Sequence, residues 1–325
     1  MSKKINFINI LTILFLLGCT STEENQLSIQ YEKYELDNGL KIILHKDNSD
    51  PLVAISTIVH VGSNREKPGK TGFAHFFEHM AFTASENTPR GANRLLIPTW
   101  GGSRNGGTSF DYTIYYEVVP KDALEKLMWI DSDRLGFMIN TVDAETLEGE
   151  IQVVKNEKRQ RVDNQPYGHS SGIIQKALYP EGHPYSWSVI GELEDLQAAT
   201  IEDVKEFYYE FYGPSNATVV IAGDIEFEET KQLVERWFGE IKPNKNVIEK
   251  PEVRLVKLSE TKKLYHLDKY AQLPQISMTF PTVEQYSKDS YALNTLGEIL
   301  SDGRNSVFYK EIIEKQKLAP AANAY

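Results

Sequence analysis

Residues 75–79 read His-Phe-Phe-Glu-His, and this pentad constrains the chain more than any other stretch. On an α-helix, positions three and four apart lie on one face, so His75, Glu78 and His79 are predicted to project to the same side. The two phenylalanines between them then point elsewhere and can pack. Two neutral imidazoles can hold a zinc ion, and a carboxylate beside them can take a proton from metal-bound water. The alternative is a surface helix that carries two histidines and binds no metal.

One protein ligand is missing from the pentad, because a catalytic zinc site normally uses three protein ligands and a water. The segment 148–160 has helical spacing, with Ile151 and Val154 on its apolar side. Glu150 and Glu157 are seven residues apart and therefore lie two turns apart on one face. Glu157 is a candidate third ligand, and Glu150 a candidate for orienting a ligand or the water. The alternative is a pair of solvated acids on a charged helix.

Short motifs surround the pentad in a fixed order along the chain. They are Asp37–Leu40, Gly62–Glu66, Gly72–Ala74, Met80–Phe82, Gly101–Asn105, Thr108–Ser109, His183–Tyr185, Tyr212–Pro214 and Ala222–Asp224. Together with the pentad, these motifs resemble the insulinase/pitrilysin family of zinc peptidases, the inverted zincins. The resemblance implies that His75, His79 and Glu157 bind one zinc ion. It also implies Glu78 as the catalytic base and Glu150 as a supporting catalytic residue.

The same resemblance implies a substrate-binding segment at residues 102–108, where the family adds the substrate to a sheet as an extra strand. The predicted substrate-binding residues are Asn105, Gly106 and Thr108, with Gly106 standing where the family usually has alanine. Backbone pairing selects extended shape rather than side chains, so extended or unfolded peptides are the expected substrates. A simpler interpretation of Asn105 is a turn residue beside glycines.

The first 18 residues are predicted to be a targeting segment that lies outside the fold. Two lysines precede a largely apolar run from Ile5 to Leu17, and the sequence Leu-Leu-Gly-Cys at 16–19 resembles a bacterial lipobox. Cleavage before Cys19 would leave a lipid anchor on a polar tether that extends to residue 29. The expected location is the bacterial cell envelope, either periplasmic or surface-exposed. The alternative is an ordinary secretory signal that contains a cysteine.

Composition excludes some classes of function. The net charge is -11 and no basic run follows residue 4, so nucleic acid is not an expected partner. The chain has 325 residues, 41% of them hydrophobic, which suffices for two domains with cores of their own. Cys19 is the sole cysteine, so no intrachain disulfide is expected. Apart from the N-terminal segment, no apolar run is long enough to span a bilayer.

Hydrophobic patterning predicts an α+β domain over residues 30–240, beginning with a β-hairpin at an Asp-Asn-Gly turn. Prolines and lysines at 241–252 predict a linker. The resemblance implies that 253–325 begin a second domain of like topology, each domain a sheet covered by helices on one face. The second domain is expected to be incomplete, and both form part of a clamshell-type peptidase half.

Four further segments have predicted structures. Residues 123–135 read as an amphipathic helix and residues 101–107 as a flexible, glycine-rich approach to the next strand. Residues 260–282 contain two strand-like runs, and a helix is predicted from Tyr286 to Leu300.

Two functions of different class follow from the resemblance. The first is a zinc-dependent endopeptidase at the cell envelope. The second is a lipid-anchored peptide-binding or scaffold subunit that is inactive without a partner half. The family's second half carries an arginine and a tyrosine that reach the substrate carbonyl, whereas this chain has Ile313 and Pro320 at those positions. A complementary half, in cis or in trans, is therefore an expected partner, and the intact pentad favours the enzyme.

Overall fold

The structure is a computed structural model that describes residues 28–244, residue 249 and residues 256–325. Cys19, the predicted signal segment and part of the predicted linker lie outside the described residues. The described strands are β1 (Glu32–Glu35), β2 (Lys41–Lys46), β3 (Leu52–Val59), β4 (Ser103–Thr108), β5 (Thr113–Pro120) and β6 (Ala217–Gly223). They form one six-stranded sheet in the order β1-β2-β6-β3-β5-β4. Only β2 and β6 pair in parallel; every other pair is antiparallel.

The α-helices of the described residues are numbered in chain order, like the strands. They are α1 (Phe73–Met80), α2 (Ala92–Thr99), α3 (Leu124–Phe137), α4 (Ala144–Lys158), α5 (Ser170–Leu178), α6 (Leu193–Gln197), α7 (Ile201–Phe211), α8 (Phe227–Phe238) and α9 (Lys288–Ser301). A π-helical turn, Arg159–Asp163, continues α4, and another π-helical stretch covers Tyr309–Lys315. Sheet and helices together make the predicted α+β fold.

The sheet buries one face against helices. Along β3, Val53, Ile55, Thr57 and Val59 are buried, whereas Ala54, Ser56 and Ile58 are partly exposed. Strand β6 shows the same alternation, which follows from the two-residue period of side chains along a strand. Helix α1 joins this core through Phe76 and Phe77, both buried. The predicted arrangement of helices on one face is confirmed.

The predicted hairpin between β1 and β2 is also confirmed. Gly39 has φ of +87°, a conformation that glycine adopts at little cost. The Asn38 side chain accepts from the Leu40 N–H at 3.1 Å and donates to the carbonyls of Phe238 and Ile241 at 2.8 and 3.0 Å. The turn is thereby fastened to the end of α8.

The helix predicted at 123–135 is confirmed, and its solvent-exposed side is narrow, with Glu125 and Lys126 exposed. Helix α3 is buried on most sides, and its polar residues Asp131, Asp133 and Arg134 are buried too. Arg134 lies 2.7 Å from Asp131 and 2.8 Å from Glu117 of β5. Arg134, Asp131 and Glu117 therefore pair inside the core.

The glycine-rich segment is mostly a strand. Its residues from Ser103 onward form β4, which pairs antiparallel with β5. Small side chains do not prevent this, because a ladder is held by the backbone groups. The prediction of a flexible segment is therefore wrong for these residues.

The two strands predicted within residues 260–282 are not observed. No strand among the described residues pairs with this segment, and a strand needs such a partner for its backbone groups. Its apolar side chains, including Ile276, Met278 and Phe280, are exposed. The helix predicted from Tyr286 is confirmed as α9. Within the described part of the chain, no helix has the length and apolar character to cross a membrane.

Candidate metal centre

Helix α1 is held at its N-terminus by a buried carboxylate. Gly72 precedes the helix with φ of +86°. The oxygens of Glu66 accept from the N–H groups of Gly72 and Ala74, both at 2.9 Å, and Oε2 also accepts from Trp187 Nε1 at 3.1 Å. These bonds satisfy helix donors that have no partner within the helix. Glu66 belongs to a sequence motif, but its role in positioning the pentad is visible only in the structure.

Aromatic packing fixes the rotation of α1 about its axis. The ring of Phe77 stacks on Phe207 and Tyr212, with centroids 5.0 and 5.2 Å apart. Phe73 lies 6.0 Å from the same Phe207 ring. With this face buried, the side that carries the histidines is turned toward α4.

The three predicted ligands converge on one point. Glu157 Oε2 lies 3.0 Å from His79 Nε2 and 3.6 Å from His75 Nε2. One potential ligand atom from each residue lies within 4.8 Å of the other two. Neighbouring ligand atoms around a tetrahedral zinc, with bonds of about 2.0–2.2 Å, are roughly 3.3 Å apart. The observed distances bracket that value, so the residues fit a zinc ion.

The buried polar atoms of this group support the same conclusion. Glu157 Oε2 is inaccessible to solvent, and no donor among the described residues is oriented to form a hydrogen bond with it, although His79 Nε2 lies 3.0 Å away. A buried carboxylate oxygen without a donor is costly unless a cation or another donor occupies the position it faces. His75 Nδ1 likewise has no hydrogen-bond partner among the described residues.

The electrostatics of the group favour the ligating forms of two of its members. Burial, together with the nearby His79, lowers the pKa of His75 to about 4, which keeps this imidazole neutral. Contact with the His79 ring lowers the pKa of Glu157 and keeps it ionised. At His79, burial lowers the pKa, but the carboxylates of Glu157, Glu78 and Glu150 together raise it above its usual value.

Glu78 lies beside the metal-ligand group and is positioned by β4. Thr108 Oγ1 donates a hydrogen bond to Glu78 Oε2 at 2.8 Å. Burial raises the pKa of Glu78, although this hydrogen bond lowers it. A carboxylate shifted in this direction is a better proton acceptor near neutral pH. Thr108, predicted to contact substrate, thus contacts the predicted base.

Glu150 lies behind His79. Its Oε2 is 4.0 Å from His79 Nδ1, which is longer than a hydrogen bond, and its Oε1 accepts from Thr83 Oγ1 at 2.9 Å. The ring nitrogen nearest Glu150 is the one that faces away from Glu157. This is where a residue that orients a ligating histidine is usually found.

Arg161, in the π-helical turn that continues α4, also contacts the metal-ligand group. Arg161 Nη1 lies 2.7 Å from Glu157 Oε1, the oxygen that does not face His79. The arginine follows Glu157 by four residues, a spacing that brings side chains together on a helix. The spacing of four residues was the sequence signal for this contact, and no motif indicated Arg161.

The predicted substrate residues divide between the two faces of β4. Gly106 and Thr108 are in register with the buried residues Tyr115 and Thr113, so they face α1. Asn105 is exposed and faces the other way; its Oδ1 accepts from the Gly106 N–H at 2.9 Å. A Cβ at Gly106 would lie 2.8 Å from the ring of Phe82, which accounts for glycine at this position.

Two family models match the chain. Residues 41–182 match "Insulinase (Peptidase family M16)", and residues 198–325 match "Peptidase M16 inactive domain". Among relatives, the zinc protease PqqE of Helicobacter pylori is 29% identical over 312 residues, which are 95% of this chain and 69% of that protein.

Solved structures resemble the chain over most of its length. The crystal structure of a protease from Helicobacter pylori superposes with a TM-score of 0.80 at 26% identity, over 92% of this chain and 71% of the other. The first half of the periplasmic protease PqqL from Escherichia coli gives a TM-score of 0.61 at 24% identity, over 70% of this chain and 49% of the other. This second likeness concerns the fold alone.

Proposed function

The chain carries an N-terminal and a C-terminal domain of the peptidase M16 family, and from this premise we propose that it is a zinc-dependent endopeptidase. The observation that carries the proposal is the convergence of His75, His79 and Glu157 on one point, with Glu78 beside them. The relative from Helicobacter pylori is named a zinc protease, which supports peptidase activity at the level of the family. The proposed reaction is hydrolysis of peptide bonds in extended or unfolded peptides.

The proposed mechanism uses one zinc ion per chain, held by His75, His79 and Glu157. When bound, zinc polarises the substrate carbonyl and lowers the pKa of a coordinated water. Thr108 occupies Oε2 of Glu78, which leaves Oε1 to accept the proton from the attacking water and to deliver it to the leaving amine. Glu150 orients His79 from behind its ring.

The proposed substrate site is the outer edge of β4. Among the described residues, β4 pairs only with β5, so its other edge presents backbone donors and acceptors to an extended peptide. A peptide added there would run alongside Asn105, Gly106 and Thr108 and would pass in front of Glu78. Backbone pairing of this kind supports activity on unfolded peptides rather than on one folded protein.

The location and the domain division are proposed from the sequence. Lipidation at Cys19 would attach the chain to a membrane of the bacterial envelope; the neighbour from Escherichia coli is itself a periplasmic protease. We propose a catalytic domain at 30–240, a linker at 241–252 and a second insulinase-like domain that begins at 253. A complementary half, in cis or in trans, is proposed to supply the groups that contact the substrate carbonyl.

A second candidate function has one observation in its favour. The model that matches residues 198–325 is named for an inactive domain. In this alternative, the chain is a lipid-anchored peptide-binding or scaffold subunit of a two-part peptidase and has no activity without its partner half.

The test compares the zinc-loaded chain from Thr20 onward with a Glu78→Gln variant on a quenched peptide library, with metal content assayed for both. We expect about one zinc per chain in both, and cleavage that falls by about 10²–10⁴-fold in the variant. Glu148→Gln is the matched control, since Glu148 is exposed on α4 and accepts a hydrogen bond from Gln152. Zinc in both chains with cleavage in neither favours the subunit, and failure to bind zinc overturns both the site and the mechanism.

A further inference from the structure

We propose that Arg104 and Arg94 form an anion-binding subsite that selects an acidic side chain of the bound peptide. This inference rests on the proposed function, in that it uses β4 as the edge to which the peptide adds. It goes further because it names a chemical preference for one position of the substrate.

Arg104 lies on the same face of β4 as the residue that holds Glu78. In the ladder with β5, Arg104 is in register with Glu117 and Thr108 with Thr113, and both β5 residues belong to the buried face. Thr108 follows Arg104 by four positions along the strand, a distance of about 13 Å. Arg104 therefore stands beside the peptide path, a short way along the edge from the proposed base.

The guanidinium of Arg104 is partly buried and lies over an aromatic ring. Its Cζ is 4.8 Å from the centroid of Phe82, which follows the pentad helix. The nearest acid on β5, Glu117, is already held by Arg134 at 2.8 Å. Arg104 forms no ion pair with any described residue, so its charge is available to a carboxylate from outside.

Arg94 brings a second positive charge to the same place. It is an exposed residue of α2, the helix that packs against β4. Burial is the main cause that lowers the pKa of Arg104, and the charge of Arg94 lowers it further. Neither guanidinium is paired with a carboxylate among the described residues, and two such groups that repel each other are stabilised by an anion between them. The pair is notable in a chain whose net charge is -11.

A peptide on the β4 edge would bring alternate side chains to this pair. Residues in register on neighbouring strands project to the same face, and adjacent residues of one strand project to opposite faces. The substrate residue level with Arg104 would therefore meet the guanidinium, and its two neighbours in sequence would not. Planar guanidinium groups bind carboxylates through paired hydrogen bonds, so aspartate or glutamate is the side chain selected at that position.

The test uses otherwise uncharged quenched peptides, blocked at both ends, in which a single glutamate, glutamine or lysine is moved one position at a time past a fixed cleavage site. We expect glutamate to raise kcat/KM about tenfold over glutamine at one position. It should have little effect at the two adjacent positions. In Arg104→Glu, lysine should replace glutamate as the preferred residue at that same position. Arg236→Glu is the matched control, because Arg236 lies on α8 in an ion pair with Glu125, away from β4; its profile should follow the parent.

A binding measurement keeps this test separate from the test of catalysis. The affinity of the same peptides for the zinc-loaded Glu78→Gln chain is followed by fluorescence anisotropy. A glutamate preference in binding without cleavage by the parent would support the subsite and overturn the proposed activity. Equal affinity for glutamate and glutamine at every position, a profile unchanged in Arg104→Glu, or no measurable binding would each overturn the subsite. An unblocked peptide series then shows whether a C-terminal carboxylate satisfies the pair in place of a side chain.

Discussion

At the scale of single residues, β4 shows how close packing decides which side chain a position accepts. Gly106 and Gly107 are neighbours on one strand, yet their surroundings differ. A Cβ on Gly106 would lie 2.8 Å from the Phe82 ring, whereas a Cβ on Gly107 would have no heavy atom within 4 Å. The difference arises because alternate residues of a strand face opposite sides of the sheet.

Gly106→Ala is expected to lower the free energy of unfolding by about 1–3 kcal/mol, since the added methyl group must displace the ring of Phe82 or the strand itself. Urea denaturation followed by circular dichroism measures the loss. Gly107→Ala is the control and should change stability by less than about 0.5 kcal/mol. The double variant Phe82→Leu, Gly106→Ala should show less than the sum of the two single losses. Strict additivity would contradict a clash between these residues.

Thr108→Val is expected to lower kcat about tenfold without loss of zinc, because the variant keeps the shape of the side chain and removes the hydrogen bond that orients Glu78. Thr108→Ser retains the hydroxyl and should stay close to the parent. Steady-state kinetics on one quenched peptide, with metal content assayed in parallel, separates the two. A valine variant with unchanged kcat would show that Glu78 does not depend on this contact.

The residues of the metal group could be predicted because their spacing carries the information. Three of them fall within one pentad, and Glu157 lies two turns from Glu150 on another helix. The hydrogen bond from Thr108 to Glu78 was not predictable in this way. It joins a strand to a helix thirty residues earlier, and only the register of β4 against the core brings the two together.

At the scale of elements, α7 links the metal-bearing helix to the surface. Phe207 of α7 stacks on Phe77 of α1, and the start of α7 is fixed by a capping box in which Thr200 and Asp203 exchange hydrogen bonds. Lys70, just before α1, pairs with Asp203. One carboxylate thus ties the beginnings of both helices.

Asp203→Asn is expected to lower the free energy of unfolding by about 0.5–1 kcal/mol at pH 7, at the modest level of a solvent-screened charge near a helix N-terminus. The hydrogen bond from Lys70, with those from Thr200, lowers the pKa of Asp203 below its usual 3.8. An acid whose pKa is lower in the folded state stabilises the protein above the unfolded pKa and loses that effect as pH falls through the folded value.

The difference between parent and Asp203→Asn should therefore shrink as the pH is lowered below about 4 and should be absent once both states are protonated. Urea denaturation at pH 7 and at pH 3 measures it. Glu202→Gln removes a neighbouring acid that takes no part in the capping box and should be nearly neutral at both pH values. A difference as large at pH 3 as at pH 7 would show that shape, rather than charge, makes Asp203 important.

Elements with a local signal were predictable, and elements that depend on distant partners were not. The hairpin turn, the capped start of α7 and the pentad helix each carry their signal within a few residues. The buried charges of α3 need Glu117 from β5, which local periodicity does not reveal. The strands expected within 260–282 lack a neighbouring strand among the described residues, and no local propensity replaces that partner.

At the scale of the whole molecule, a buried ionic cluster joins α3 to the sheet beneath the proposed substrate edge. Arg134 bridges Asp131 and Glu117, and Asn93 of α2 also donates to Glu117, at 3.2 Å. The Arg134 guanidinium lies 4.4 Å from the Tyr115 ring centroid. The cluster therefore connects two helices with β5, the strand that carries β4.

Arg134→Met is expected to lower the free energy of unfolding by about 3–5 kcal/mol, because it leaves two carboxyl groups in the core without their cation. Burial already raises the pKa of Asp131, while Arg134 opposes that shift. Without the arginine, the folded state favours protonated carboxyl groups more strongly, and such a group gains relative stability as pH falls. The loss in Arg134→Met should therefore be smaller at pH 5 than at pH 7, measured by urea denaturation against the parent at each pH.

The triple variant Arg134→Met, Glu117→Leu, Asp131→Leu tests whether the fold requires these charged residues themselves or requires only that each buried charge has a partner of opposite sign. It removes all three charged groups and fills their space with apolar atoms, so it should recover much of the stability that the single variant loses. Recovery would mean that removing one member of the cluster lowers stability, whereas replacing all three members with apolar residues does not. A triple variant as unstable as Arg134→Met would instead show that the geometry of these ion pairs sets the register between α3 and β5. Peptidase activity would then be expected to fall with stability, because the same sheet positions Thr108 beside Glu78.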